Sequence, residues 1–342
     1  MAQRTFVPTL QQQTALSLAY LAYSGELLTD GSKVAIPLQI LRLIKTAMPK
    51  IPALKLGKTV DWEVVWGPAT YTYPDVELQD NMMVVVRQIS QPDNYVLAVR
   101  GTNAKAVFDW LKEDLEVWRK VPWRMPQGQG FQGQPCISQS TQDGLNVLLN
   151  SLRPDGVPGN GEDITRFLRT LAASGKANLL FTGHSLGAAL ASTLALWFKQ
   201  WQHIDGEWDP HGNINISSIT FAGPTAGNQD FSDYFNGYLG TASQRIFNTL
   251  DVVPKAWQVS TMNQIAAIYS PQISMPLPAR LALEVIERVV IGYAQMGMPI
   301  PLTWEIQADK PSWVGQLGVQ HSDAYPNLLQ VPALLKVINT GK

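Results

Sequence analysis

The sequence predicts an α/β fold: a mainly parallel central sheet with helices on both faces. Two observations carry this. Runs rich in β-forming residues alternate with helical patterns over most of the 342 residues, and one junction reads as strand, sharp turn and helix. There the apolar run Leu179-Leu180-Phe181 leads through Thr182 into Gly183-His184-Ser185-Leu186-Gly187, and Ala188, Ala189, Leu190 and Ala191 follow at helical spacing. No linker or repeat interrupts the chain, which reads as a single domain over 1–342.

Composition narrows the function. A hydrophobic fraction of 45% and a charged fraction of 15% suit a globular chain with a full core. The formal net charge is -1 and basic runs are absent from the sequence, so there is no field to attract nucleic acid, and that partner class is excluded. No stretch has the length of a membrane span and no signal peptide is visible. The expectation is a soluble protein, either exported by a route that needs no signal peptide or cytoplasmic. Cys136 is the one cysteine, which excludes an intramolecular disulfide and a multi-cysteine metal site. It is read as a small buried side chain.

In order along the chain, residues 10–29 form a helix with Leu16, Ala19, Tyr20, Tyr23 and Leu27 on one face. A short helix follows within 37–52. The period then changes to strands over 62–66, 82–89 and 95–99, the last two joined as a hairpin through Pro92-Asp93-Asn94. Residues 104–118 return to a helical pattern, with Val107, Trp110, Leu111 and Leu115 as an apolar stripe. A loop rich in Gly, Gln and Pro covers 121–135, and helices over 137–152 and 162–174 lead to the strand–turn–helix junction. Beyond it come a polar loop at 203–213, a strand at 214–221, a helix at 230–239 and a strand at 244–250. Residues 271–311 carry six prolines around a helix at 279–294. Val319-Gln320-His321-Ser322-Asp323 precedes a short helix at 331–338.

Gly-x-Ser-x-Gly between a strand and a helix suits a nucleophile, because the strained turn lifts the serine hydroxyl away from the sheet edge. Gly183 and Gly187 are glycines because a side chain at either position would strike the neighbouring strand or helix. Ser185 then needs a histidine base held by a carboxylate. Of the four histidines, His184 projects to another side of the turn, and His203 and His211 come too early for the Ser, Asp, His order of such folds. His321 remains. Asp251 is the acid placed just after a β-rich run, with Asp230, Asp233 and Asp309 as weaker alternatives. Backbone donors must hold the charge that develops on the substrate oxygen. The Leu186 N–H, at the start of a helix, is one, and the loop at Gly101-Thr102 supplies the other.

With these residues assembled, the chain resembles the class 3 lipases, the fungal-type triacylglycerol lipase family within the α/β-hydrolases. The likeness rests on Arg100-Gly101-Thr102 followed by the run from Asp109 to Leu115, on Thr182-Gly183-His184-Ser185-Leu186-Gly187, on Thr220-Phe221-Ala222-Gly223-Pro224-Thr225-Ala226-Gly227-Asn228, and on Asp251-Val252-Val253-Pro254. It covers roughly residues 95–254. The resemblance implies Ser185 as nucleophile, Asp251 as triad acid, Thr102 and Leu186 as oxyanion donors, and a mobile lid over about 103–118 in which Val107, Trp110 and Leu111 meet the substrate. His321 is carried over with less support from the motif. Thr225 stands where the family usually has a basic residue, and 271–311 reads as an insertion near the site.

The function implied is a serine hydrolase of carboxylic esters, a triacylglycerol lipase acting on an ester or lipid at an oil–water interface, without cofactor or metal. Phospholipase, feruloyl-type esterase and acyltransferase are the enzymatic alternatives, and a lipid-binding or scaffold relative the non-enzymatic one. The alternation His203, Asp205, Glu207, Asp209, His211 is read as a solvated loop rather than a cation site. Trp110, Trp118 and Trp123 either line an acyl channel or pack in the core.

Overall fold

Seven strands build the central sheet of the computed structural model, which describes residues 6–28, 34–72, 81–101, 118–128 and 130–339. They are β1 (Trp62–Tyr71), β2 (Asn81–Gln88), β3 (Asn94–Val99), β4 (Ala177–His184), β5 (Ile214–Phe221), β6 (Ser243–Asn248) and β7 (Met298–Leu302). Their order across the sheet is their order in the chain. β1 pairs with β2 and β2 with β3 in antiparallel fashion, and every later pair is parallel. This is the mainly parallel sheet the alternation of elements predicts.

The strands are apolar on both faces because helices cover both. Met82, Val84 and Val86 point into one buried cluster, Met83 and Val85 into another, as the two-residue period of a strand requires. Helices α1 (Leu10–Leu21) and α2 (Ile36–Ala47) close the first face. Helices α3 (Gln139–Asn146), α4 (Ile164–Ser174), α5 (Leu186–Gln200) and α6 (Gln229–Tyr238) close the second. A third cluster, with Val252, Trp257, Tyr269, Trp313 and Leu317, sits beside the carboxyl end of β6. Helix α7 (Leu277–Val289) lies over it, and α8 (Trp313–Ser322) and α9 (Ala324–Leu328) follow. No helix among the described residues is long and apolar enough to cross a membrane.

Several expected boundaries change. The first helix stops at Leu21 instead of continuing to 29; the chain turns at Gly25, where φ is 70°. Thr9 and Gln12 cap its start reciprocally, each side chain bonding the other's backbone N–H. The helix expected from 137 begins two residues later, after the short strand Cys136–Ser138, which joins Lys120–Pro122 and Gly227–Asn228 in a small second sheet. Cys136 is half-buried rather than buried. The segment read as an insertion, 271–311, contains β7, which pairs along its length with β6 and therefore belongs to the central sheet. Residues 319–323, to which the sequence pattern assigns no element, are the end of α8 and its C-cap, a helix started by Ser312, whose side chain accepts from the Gly315 N–H. Thr102 and the lid expected over 103–118, with Val107, Trp110 and Leu111, lie outside the described residues except for Trp118, which is 57% exposed.

Candidate active site

β4 delivers Ser185 and α5 leaves it in the opposite direction, so the serine occupies the tip of a tight elbow. Its backbone has φ 59° and ψ -133°, a left-handed conformation that costs a non-glycine residue on the order of 1–3 kcal/mol. The elbow closes only because its flanks are glycines. A Cβ on Gly183 would fall onto the carbonyl of Gly187, and one on Gly187 would sit 2.5 Å from the Val99 carbonyl oxygen and 2.6 Å from the Gly101 nitrogen. Gly101 presses from the other side: its Cβ would lie 2.5 Å from the His184 carbonyl oxygen. The end of β3, from which Thr102 follows, is thereby packed against the elbow. Leu186 is the first residue of α5, and an N–H at that position lies outside the intrahelical ladder.

The three residues selected by chemistry and order meet here. The Ser185 Oγ is 2.9 Å from His321 Nε2, and His321 Nδ1 is 2.9 Å from Asp251 Oδ2 and 3.1 Å from Oδ1. All three side chains are buried. The carboxylate can only accept, so Nδ1 carries the proton and Nε2 is left to accept from the serine hydroxyl. Asp251 is held in turn by the Val253 N–H, which donates to Oδ1 at 3.0 Å, and by the Tyr325 hydroxyl, which donates to Oδ2 at 2.7 Å. Burial and the charge of Asp251 raise the Tyr325 pKa well above that of an ordinary phenol, so this hydroxyl remains a donor.

His184, rejected above as the base, has another place. Its Nε2–H donates to the carbonyl oxygen of His321 at 2.8 Å, and its Nδ1 faces the Tyr23 hydroxyl at 3.2 Å. The two imidazoles lie 4.6 Å apart between centroids. Burial, and secondarily the nearby His321, depress the His184 pKa well below the ordinary range, which keeps it neutral. The Tyr20 ring meets His184 edge-on at 4.9 Å, and the Tyr20 hydroxyl donates to the Ser322 carbonyl at 2.5 Å. Helix α1 thus braces both the elbow and the histidine. No local pattern pointed to Tyr20 or Tyr23 as site residues. Tyr325 lies four residues beyond His321, in the next helix, α9.

The remaining candidates lie elsewhere. Asp209 is fully buried and accepts from the Gln202 side chain at 2.7 Å and from the N–H groups of Asn213 and Ile214 at 2.9 and 3.0 Å, so it organises its own loop. Among the described residues no group of three or more His, Cys, Asp or Glu side chains is placed to hold a metal ion. Trp123 packs edge-on against Trp197 and Phe231 and donates to Gln200 Oε1 at 2.8 Å, which makes it a core residue. Thr225 is buried, and its hydroxyl donates to the Ala256 carbonyl. Asp230 accepts from the Gln134 N–H and Asp233 from the Gln229 side chain, both away from His321.

A family model described as lipase (class 3) matches residues 96–260. Among solved structures, the crystal structure of M37 lipase is 33% identical, covers 96% of this chain and 95% of its own, and superposes with a TM-score of 0.85. A triacylglycerol lipase whose catalytic centre is described as a serine protease triad is 18% identical over 86% of this chain and 80% of its own, with a TM-score of 0.49. A lipase from Rhizopus microsporus var. chinensis is 17% identical over 95% of this chain and 88% of its own, with a TM-score of 0.48. None of the curated proteins matches the chain.

Proposed function

The chain belongs to the class 3 lipase family, and from that premise we propose that it hydrolyses acylglycerol esters through a Ser185–His321–Asp251 triad and an acyl-enzyme. The observation that carries the reading is the pair of hydrogen bonds on the His321 ring, 2.9 Å to Ser185 and 2.9 Å to Asp251. In this reading Ser185 Oγ attacks the ester carbonyl carbon while Nε2 of His321 takes the hydroxyl proton. The carbonyl oxygen becomes an oxyanion, held by the Leu186 N–H and by Thr102. Asp251 stabilises the imidazolium without accepting its proton. Collapse breaks the bond to the leaving alkoxide, which receives the proton from Nε2 and departs as alcohol. Water attacks the acyl-enzyme with His321 again as base, which releases the fatty acid and restores Ser185. Val107, Trp110 and Leu111 are assigned to a lid that presents apolar surface to the lipid.

A fluorophosphonate probe, with the modified residue mapped, tests the nucleophile and its activation together. Labelling is expected at Ser185, and Ser185→Ala should lower turnover of a soluble ester by roughly four to six powers of ten. Retention of more than a small percentage of activity in that variant would refute the assignment.

A further inference from the structure

Asp251 and His321 reach each other from elements that share no backbone ladder: Asp251 follows β6, and His321 stands one residue before the end of α8. Two buried amides join these elements. Asn248, the last residue of β6, is fully buried and uses its whole side chain. Its Nδ2 donates to the Gln320 main-chain oxygen at 3.1 Å and to Gln320 Oε1 at 2.7 Å. Its Oδ1 accepts from the N–H groups of Leu250 at 3.2 Å and Trp304 at 3.1 Å, which forms the turn that leads to Asp251. Gln320, equally buried, completes its own set by donating to the Glu305 carbonyl at 2.8 Å and to Gln316 Oε1 at 3.2 Å.

We propose that Asn248 and Gln320 are positioning residues, an amide pair that sets the spacing of Asp251 and His321 and thereby the reactivity of Ser185. The inference rests on the triad reading above. The lever is short: Gln320 adjoins His321, and Asn248 is three residues from Asp251. A shift between the two amides passes to the imidazole, whose Nε2 must stay within hydrogen-bond reach of the serine. Only an amide serves at 248, because this side chain must donate twice into α8 and accept twice from the turn, which neither Asp nor an aliphatic residue does. Displacement of a reacting group by about 1 Å costs on the order of 100-fold in rate.

The test uses the full chain carrying Gln320→Met, which keeps the volume and deletes the amide. Steady-state kinetics on a soluble short-chain p-nitrophenyl ester and the downfield proton spectrum are recorded, the latter for the hydrogen-bonded Nδ1 proton of His321. The expectation is a fall in kcat of about 30- to 100-fold with KM within about twofold, and loss or displacement of the downfield resonance. Gln316→Met removes a buried amide of the same network that does not touch Asn248, and should lower the melting temperature with kcat near that of the parent. If Gln320→Met is folded and keeps parental kcat and resonance, or if Gln316→Met lowers kcat equally, the proposal is overturned. Should Gln320→Met not fold, Asn248→Asp replaces it with the same readouts, since it keeps the acceptor for Leu250 and Trp304 and loses both donors. Ser185→Ala separates the two readings: turnover retained there sinks the triad itself, whereas an inactive Ser185→Ala beside a parental Gln320→Met sinks only the positioning role.

Discussion

Replacing Tyr325 by phenylalanine removes one oxygen that has two partners in a dry environment. The hydroxyl donates to Asp251 Oδ2 at 2.7 Å and accepts from the Asn248 N–H at 3.1 Å, and the residue is fully buried. A hydrogen bond to a charged group contributes about 1.5–3 kcal/mol, and a buried N–H left without a partner costs about 1–3 kcal/mol. The two terms overlap, because the surroundings relax, and together they predict a loss of about 3 kcal/mol of folding stability. The carboxylate keeps the Val253 N–H and His321 as partners, so kcat should fall by only about tenfold, equivalent to about 1.4 kcal/mol. Since the phenol remains protonated, both effects should be the same across the neutral and mildly alkaline range. Urea unfolding of parent and variant gives the first number, and turnover of a soluble ester the second. A stability change under about 0.5 kcal/mol would show that the hydroxyl does not bridge Asn248 and Asp251, and the argument from its geometry would fail.

Two further perturbations follow from the elbow. Gly187→Ala drives a methyl into the backbone of residues 99–101, which cannot yield as a side chain tip can; a loss of about 3 kcal/mol or more and a fall in kcat are expected, and a variant as stable as the parent in urea would contradict the packing. His184 carries a pH dependence. In the unfolded chain it takes up a proton near its ordinary pKa of about 6.5, whereas the fold holds it neutral to much lower pH. Its contribution is therefore complete above about pH 6.5 and declines as pH falls below that value, by up to about 1.4 kcal/mol per pH unit. His184→Gln should flatten that slope between about pH 6.5 and 5 in unfolding experiments; an unchanged slope would count against a neutral His184.

The elbow was legible because its constraint is local. Backbone that must pass within van der Waals distance of backbone needs glycine on both sides, and the sequence displays both. Asp251 was legible from its place after a β-rich run. The helix that carries His321 was not, and its buried face explains why: Trp313 and Leu317 alternate there with Gln316, Gln320 and His321, so apolar periodicity is broken where the polar network runs. β7 was hidden by composition. Met298-Pro299-Ile300-Pro301-Leu302 carries prolines at alternate positions, which suggests a loop. As the sheet's edge strand it leaves both missing N–H groups on its unpaired side, where no ladder bond is lost. The brace from α1 and the turn that follows it was beyond any local reading, since Tyr23 and His184 are 161 residues apart in sequence and only the packed fold brings them together.

That separation bears on when the site comes into being. A ribosome releases β4, the elbow and α5 long before α8, because Ser185 precedes His321 by 136 residues. Domains take shape as synthesis proceeds, at about 5–20 residues per second. For that interval, several seconds or more, the nascent chain displays a serine with no base beside it. On the triad reading, docking of α8 against α1 and the elbow is the step that brings His321 to the serine and arms the hydroxyl. On that reading, a chain stalled or clipped before α8 would carry Ser185 without its base.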